Sequence, residues 1–136
     1  MKLKINRLQH IGLPVTNLGA SRVFYQRLGF EPVMEATFPH DGAQGQVAMM
    51  QRGELVLELY QMPEPELSQV RQRSDGRIDH IAFDVDDIDE AYATLQAEGF
   101  VMLEPQPSFL NFWARGCKFF NIAGPDGERL EFCQIL

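Results

Sequence analysis

Cysteine, positive charge and long apolar runs are scarce in this sequence, and each scarcity argues against a class of protein. Its two cysteines, Cys117 and Cys133, have a spacing that suggests no disulfide framework, which favours reduced thiols. Twelve Lys and Arg residues stand against 19 Asp and Glu, giving a formal net charge of −7. This balance argues against nucleic acid as a partner, because phosphate binding needs clustered basic side chains.

No apolar run comes near the roughly 20 residues that cross a bilayer. The first seven residues, Met1 to Arg7, lack the apolar core of a signal peptide. We therefore expect a cytoplasmic protein that does not bind a membrane. With 45% hydrophobic and 23% charged residues the chain has the composition of a globular protein, and 136 residues suit one compact domain, 1–136.

An internal repeat is the most informative feature of the sequence. Residues 8–30 and 78–100 align over 23 positions without a gap, at an offset of 70. Each copy opens with alternating apolar residues, typical of a half-buried strand, and continues into a helix capped by Asn17 or Asp87. The identical positions are His10/His80, Ile11/Ile81, Val15/Val85, Gln26/Gln96, Gly29/Gly99 and Phe30/Phe100.

Strand-like segments and turns follow each predicted helix. The predicted strands are residues 46–50, 54–60, 118–122 and 128–134. Hairpin turns are expected at Arg52-Gly53 and at Gly124-Pro125-Asp126-Gly127.

The order of strand, helix and about three strands, twice over, predicts an α+β fold of two tandem βαβββ modules with curved mixed sheets. Module one spans about 5–61 and module two about 77–136. Residues 62–76, rich in Pro, Glu, Gln and Ser, are predicted to be a linker.

Two glutamates continue the repeat in the last strand of each module. Glu58 and Glu131 differ by 73 positions, and each alternates with apolar neighbours so that its carboxylate lies on the opposite face. Alone, such a Glu is usually on a solvated strand face, and a lone strand His is usually hydrogen-bonded or exposed. Together with His10 and His80 in repeat register they favour a metal site, whereas His40 has Leu110 at the +70 position.

These segments resemble the vicinal oxygen chelate superfamily (glyoxalase, bleomycin resistance and dioxygenase proteins), and within it the glyoxalase I-like branch. The resemblance covers nearly the whole chain. The segments that carry it are Leu8-Gln9-His10-Ile11-Gly12, Phe24-Tyr25, Leu28-Gly29-Phe30, Leu57-Glu58-Leu59, Asp79-His80-Ile81-Ala82-Phe83, Gly124-Pro125-Asp126-Gly127 and Leu130-Glu131-Phe132.

The resemblance implies one divalent metal ion, with His10, Glu58, His80 and Glu131 at the four ligand positions of the family. Two imidazoles and two carboxylates suit Ni, Co, Zn, Mn or Fe, and ligand type does not choose among them. In glyoxalase I-like enzymes the metal stabilises an enediolate while a glutamate removes the proton α to a carbonyl. By resemblance, Glu131 is the principal base and Glu58 its counterpart.

Two departures from glyoxalase I argue against glutathione as co-substrate. Four residues after the first ligand this chain has Pro14 in place of the typical Arg, and four after the second it has Met62 in place of Asn. The expected function is therefore a metal-dependent lyase or isomerase acting on a small vicinal-oxygen substrate. The alternatives are a metal-binding resistance or sequestration protein and an Fe(II) extradiol-type dioxygenase, whose open coordination positions a fourth protein ligand would crowd.

The substrate side of the site is predicted less sharply. In residues 108–118, Trp113 could wall the substrate, and Arg115 or Lys118 could bind an anionic group; a surface hairpin with solvated cations is the alternative. His40 and Asp41 are predicted to be surface residues. By resemblance we expect a homodimer with sites shared between chains.

Overall fold

The computed structural model describes residues 1–73, 76, 78–123 and 129–136. The predicted turn at Gly124-Pro125-Asp126-Gly127 and part of the predicted linker lie outside the described residues. The chain divides into two compact units: His10–Asp79, the central unit, and Met1–Gln9 with His80–Leu136, the terminal unit. No helix among the described residues is long and apolar enough to cross a membrane.

The central unit contains one βαβββ module followed by a short helix. Its strands are β1 (Arg7–Pro14, whose first three residues belong to the terminal unit), β2 (Glu31–His40), β3 (Ala43–Arg52) and β4 (Leu55–Gln61), and its helices are α1 (Leu18–Arg27) and α2 (Glu66–Arg71). Strand β1 pairs with β4 in parallel, and β3 pairs with β4 and β2 antiparallel. Helix α1 packs on this sheet over a core of four buried residues: Phe30, Ala48, Met50 and Leu59.

The terminal unit repeats the plan. Its elements are β5 (His80–Asp84), α3 (Ile88–Ala97), β6 (Ser108–Leu110), β7 (Cys117–Ala123) and β8 (Arg129–Ile135). Strand β5 pairs with β8 in parallel, and β7 pairs with β8 and β6 antiparallel. The predicted α+β fold of two βαβββ modules with mixed sheets is confirmed.

The predicted helix boundaries are also confirmed. The Asn17 side chain accepts a hydrogen bond from the amide of Ala20, and that of Asp87 accepts one from Glu90. Gly29 and Gly99 follow the two helices with φ values of 86° and 82°, the left-handed conformation that ends a helix.

The structure adds a contact that both units repeat. At the end of the last strand, the Gln61 side chain accepts a hydrogen bond from the amide of Leu18 at 2.9 Å, and Gln134 accepts one from Ile88 at 3.0 Å. Each glutamine lies three positions after the glutamate that the two modules share, Glu58 or Glu131. It satisfies an amide at the start of the helix that has no partner within the helix.

Helix α2 is a difference from the prediction, which placed a linker there. It has six residues and buries only Leu67, so it is too short to leave a helical apolar period in the sequence. Its position shows that the central unit extends beyond β4.

Candidate metal and substrate site

In the central unit, the structure brings His10 and Glu58 together on one face of the sheet. Gly12 of β1 lies opposite Glu58 of β4, so His10, two residues earlier, shares the face of the glutamate. The imidazole Nε2 is 3.8 Å from the carboxylate Oε2, and both residues are buried.

The terminal unit builds the same pair. Ala82 of β5 lies opposite Glu131 of β8, and His80 stands two residues before it. The His80 Nε2 is 3.2 Å from the Glu131 Oε2, again with both residues buried. A small residue opposite the carboxylate is thus common to the two units and follows from the motifs His-Ile-Gly and His-Ile-Ala.

These pairs fit a divalent metal by their donor chemistry. Each unit supplies one imidazole nitrogen and one carboxylate oxygen, the ligand types that Zn, Fe, Co, Ni and Mn accept. A carboxylate is costly to bury unless it is paired, and in each unit its neighbour is a histidine. The structure thus places one His and one Glu side by side within each module. The full four-residue ligand set stays a prediction.

Of the predicted substrate residues, Lys118 lies away from Glu131. It is opposite Gln134 on β7, whereas Asn121, three residues on, is opposite Glu131, so Lys118 rises from the other face. There its Nζ is 3.5 Å from the Oδ2 of Asp89 in α3. A role in binding substrate beside Glu131 would require this ammonium to leave that face.

Trp113 and Arg115 lie in the segment between β6 and β7. Trp113 is half-buried, with φ at 67°, and its Nε1 has no hydrogen-bond partner among the described residues. Arg115 is exposed and donates from Nε to the carbonyl of Leu136 at 3.4 Å. Their assignment to the substrate side stays a prediction.

His40 belongs to a separate polar group at the β2–β3 turn. Its Nε2 is 3.1 Å from the Oε1 of Glu66 and 3.4 Å from the Oδ2 of Asp41. The hydrogen bond from His40 holds the pKa of the Glu66 carboxyl below its usual value. These three side chains could hold an ion, but Asp41 is exposed and the other two are half-buried, so an ion pair at the surface accounts for them.

Cys117 and Cys133 are free and buried on β7 and β8. A hydrogen bond with Cys117, reinforced by burial, raises the pKa of the Cys133 thiol far above its usual value. A protonated, buried thiol is a poor nucleophile, and the free state of both cysteines agrees with the reduced thiols expected from the sequence.

A functional candidate that the sequence interpretation missed is Asn121. It lies opposite Glu131 and is 4% exposed. Its amide nitrogen is held by Glu104, 17 residues earlier, in a segment without regular periodicity. The only signal in the sequence was its position in β7, which cannot be used without knowing the strand register.

Each of the two βαβββ modules thus carries a buried His–Glu pair on one face of its sheet. Comparison with known proteins gives the family. Residues 7–132 match the model of the Glyoxalase/Bleomycin resistance protein/Dioxygenase superfamily, and the chain belongs to that superfamily. The resemblance inferred from the sequence is confirmed.

Several relatives are similar over nearly their whole lengths. The protein YaeR of Escherichia coli (strain K12) is 32% identical over 138 residues, covering 95% of this chain and 96% of YaeR. The structure of hypothetical protein BH1468 from Bacillus halodurans C-125 is 25% identical, with a TM-score of 0.76 and coverage of 98% and 96%. Methylmalonyl-CoA epimerase of Streptomyces coelicolor is 23% identical, with a TM-score of 0.76 and coverage of 96% and 98%, and shows the shared fold.

Proposed function

We propose that this protein is a cytoplasmic, metal-dependent lyase or isomerase of the glyoxalase I type, which removes a proton α to a carbonyl group. The observation that carries the proposal is the repeated pair: a buried His and a buried Glu on one face, with a small residue opposite the Glu, in both units. A module that only supported a fold would have no need to bury a carboxylate beside an imidazole twice in the same register.

We propose that His10, Glu58, His80 and Glu131 hold one divalent metal ion. When bound, the ion would supply a Lewis acid that polarises the substrate carbonyl. Glu131 takes the proton as general base, and Glu58 is its counterpart on the other module.

The relatives support proton abstraction as the class of reaction. Epimerisation of methylmalonyl-CoA, the reaction in the name of one structural neighbour, inverts a carbon that lies α to a thioester carbonyl, so it requires removal of that proton. The same step isomerises a hemithioacetal in glyoxalase chemistry. The shared fold thus accommodates one step on different substrates.

The deciding experiment measures metal content first and proton exchange second. The purified protein is analysed for Ni, Co, Zn, Mn and Fe, and its loaded form is then incubated in D₂O with hemithioacetals of methylglyoxal and several thiols, glutathione among them. We expect one metal per set of four ligands, deuterium incorporation α to the carbonyl, and weak turnover of the glutathione adduct because of Pro14 and Met62.

The two alternative functions give different results in the same experiment. Metal binding without exchange on any vicinal-oxygen substrate would favour a sequestration or resistance protein. Oxygen consumption with a catechol in the Fe(II)-loaded protein would favour the dioxygenase. Efficient use of the methylglyoxal–glutathione adduct, with kcat/KM in the usual range of about 10⁴–10⁸ M⁻¹s⁻¹, would restore glyoxalase I itself.

We also propose that the protein is a homodimer in which each site combines modules of two chains. In support, α1 exposes Val23 and Phe24, Leu28 directly after α1 is also exposed, and β2 is the outer strand of the central unit's sheet. A two-fold partner commonly covers such surfaces. Light scattering at micromolar protein with metal present should give twice the chain mass of 15.5 kDa, and a monomer mass would contradict the dimer.

A further inference from the structure

The amide of Asn121 has its orientation fixed by Glu104. The Asn121 backbone N–H donates to the Oε2 of Glu104 at 2.6 Å, and its side-chain Nδ2 donates to the Oε1 at 2.8 Å. A carboxylate can only accept hydrogen bonds, so the nitrogen of the amide must face Glu104 and the oxygen must face away.

That oxygen is a buried acceptor. Asn121 is 4% exposed, and its Oδ1 has no hydrogen-bond donor among the residues that the structure describes. Burying an acceptor without a donor is costly, and such an atom in a folded protein calls for an explanation. Because Asn121 and Glu131 are directly opposite on antiparallel strands, their side chains rise from the same face as neighbours.

The corresponding position of the central unit has no polar acceptor. The residue opposite Glu58 is Met49, whose apolar side chain is buried. The acceptor is therefore a property of the side that carries the proposed base and not of the fold repeat.

We propose that Asn121 determines substrate specificity: its Oδ1 accepts a hydrogen bond from a hydroxyl group of the substrate. The site would then select α-hydroxy carbonyl compounds, such as hemithioacetals, over thioesters that carry a carboxylate in place of the hydroxyl. Glu104 is a positioning residue, since it acts by holding the amide. This inference rests on the proposed function and deepens it by naming the substrate class.

The chemistry of the two substrate classes differs at one group. A hemithioacetal offers a hydroxyl donor next to its carbonyl, which an amide oxygen can accept. A 2-carboxyacyl thioester offers only acceptor oxygens there, and these would meet the Oδ1 of Asn121 beside the carboxylate of Glu131. A site built to bind a hydroxyl discriminates strongly against an analogue that lacks it, because its own polar group is left unpaired.

The test measures ligand binding by calorimetry in the Zn²⁺-loaded full-length protein, so it does not depend on turnover. The ligands are lactate, 2-methoxypropanoate and methylmalonate. Lactate and 2-methoxypropanoate have the same charge and the same vicinal oxygens, but only lactate has a hydroxyl donor. We expect the wild type to prefer lactate over both.

Asn121→Leu should lower the preference for lactate over 2-methoxypropanoate by about tenfold, the usual effect of removing an acceptor from a buried hydrogen bond. Glu104→Gln should lower it by a smaller factor, because a glutamine both donates and accepts and so lets the amide turn. This second variant keeps Asn121 and serves if Asn121→Leu does not fold. Met49→Leu is the matched control and should leave the preference unchanged.

The outcomes separate the inference from the proposed function. A protein that binds neither Zn²⁺ nor any other divalent metal overturns both. Normal metal and lactate binding, with an unchanged preference in Asn121→Leu and Glu104→Gln, overturns the role of Asn121 alone. A wild-type preference for methylmalonate, whose second carboxylate the exposed Arg129 could attract, also overturns it.

Discussion

Both units present a His–Glu pair on one face of the sheet, but the two helices behind the sheets are buried to different extents. On the face that carries the His–Glu pairs, the central unit has His10, Gly12 and Glu58 where the terminal unit has His80, Ala82 and Glu131. On the helix side, α3 buries four side chains, whereas α1 has no buried residue. The His–Glu pair is thus repeated in both units, whereas the burial of the helix is not.

The terminal core shows how this difference arises. In it α3 packs against aromatic rings of β7 and β8, with Tyr92 edge-on to Phe120 at 5.0 Å and Phe120 stacked on Phe132 at 5.2 Å. In the central unit the corresponding helix exposes Val23 and Phe24, and Leu28 directly after it is also exposed. The helix of the terminal unit is thus packed against its sheet, whereas the helix of the central unit leaves an apolar surface exposed. A second chain could cover that surface.

If the two pairs contribute equally to one metal, the largest effect will come from removing either imidazole. His10→Ala and His80→Ala should each reduce bound metal from about one equivalent to near zero, because each leaves a four-ligand site with three. Elemental analysis of the purified variants measures this. His40→Ala is the control and should keep its metal; metal loss in His40→Ala alone would move the site to the Asp41 and Glu66 group.

The glutamates should separate the two units by function. Glu131→Gln should reduce proton exchange by at least about a hundredfold, as expected for loss of a general base, while keeping the fold and most of the metal. Glu58→Gln should have a smaller effect on exchange, since Glu58 is the counterpart and not the principal base. Deuterium incorporation followed by NMR gives both rates. A larger loss in Glu58→Gln would reverse the assignment of the base.

Much of the fold and of the pairing was predictable because the sequence repeats itself. His10 and His80 stand at the same position of the first strand of each module, and Glu58 and Glu131 at the same position of the last strand. These correspondences hold although the two modules differ by three residues in the length between the His and the Glu. Alternation along a strand shows which residues of the neighbouring strand lie on the same face as each Glu only when the register between the two strands is known. That register is set by the tertiary structure. This is why the direction of Lys118 was not evident from the sequence.

Contacts between segments without periodicity could not be predicted for a different reason. The hydrogen bonds that Asn121 donates to Glu104 join a strand to an irregular segment. In the terminal unit, Asn6 of the segment Met1–Gln9 donates hydrogen bonds to Asp84 and Asp86. A single polar pair of this kind leaves no periodic pattern in the sequence from which it could be predicted.

The difference in helix burial predicts unequal stability effects. Leu95 in α3 is 1% exposed, so Leu95→Ala should lower the free energy of unfolding by about 2–5 kcal/mol through lost burial and a cavity. Phe24 in α1 is 52% exposed, and although its side chain is larger, Phe24→Ala should cost under about 1 kcal/mol in a monomer. Urea unfolding monitored by circular dichroism measures both changes.

A large loss of unfolding free energy in Phe24→Ala would contradict the inference that α1 is less buried than α3 in the single chain. Repeating the urea series over a range of protein concentrations then shows whether a partner covers the ring, because the stability of a dimer depends on concentration. Gln96→Ala, an exposed polar position on α3, is the control and should be close to neutral.

The smallest expected difference concerns a glycine under a phenylalanine ring, a second arrangement that both units share. Phe38 lies opposite Gly45 across β2 and β3, and the Phe109 ring lies against Gly116; both pairs are seven residues apart in sequence. A Cβ at either glycine would collide with the ring, so both alanine substitutions should destabilise. Gly116 has two further constraints, a φ of 89° and the carbonyl oxygen of Leu110 at 2.9 Å from the added Cβ.

The ring of Phe109 is exposed and can swing away, but backbone cannot, so the constraints at Gly116 remain after the ring has moved. We therefore expect Gly116→Ala to lower the free energy of unfolding by about 1–3 kcal/mol and Gly45→Ala, relieved by a shift of the Phe38 ring, by about 1 kcal/mol. Urea unfolding of Gly45→Ala combined with Phe38→Ala should recover part of that cost, whereas Gly116→Ala combined with Phe109→Ala should recover little. Equal recovery in the two double variants would show that the ring alone, and not the backbone at Gly116, sets the requirement for glycine.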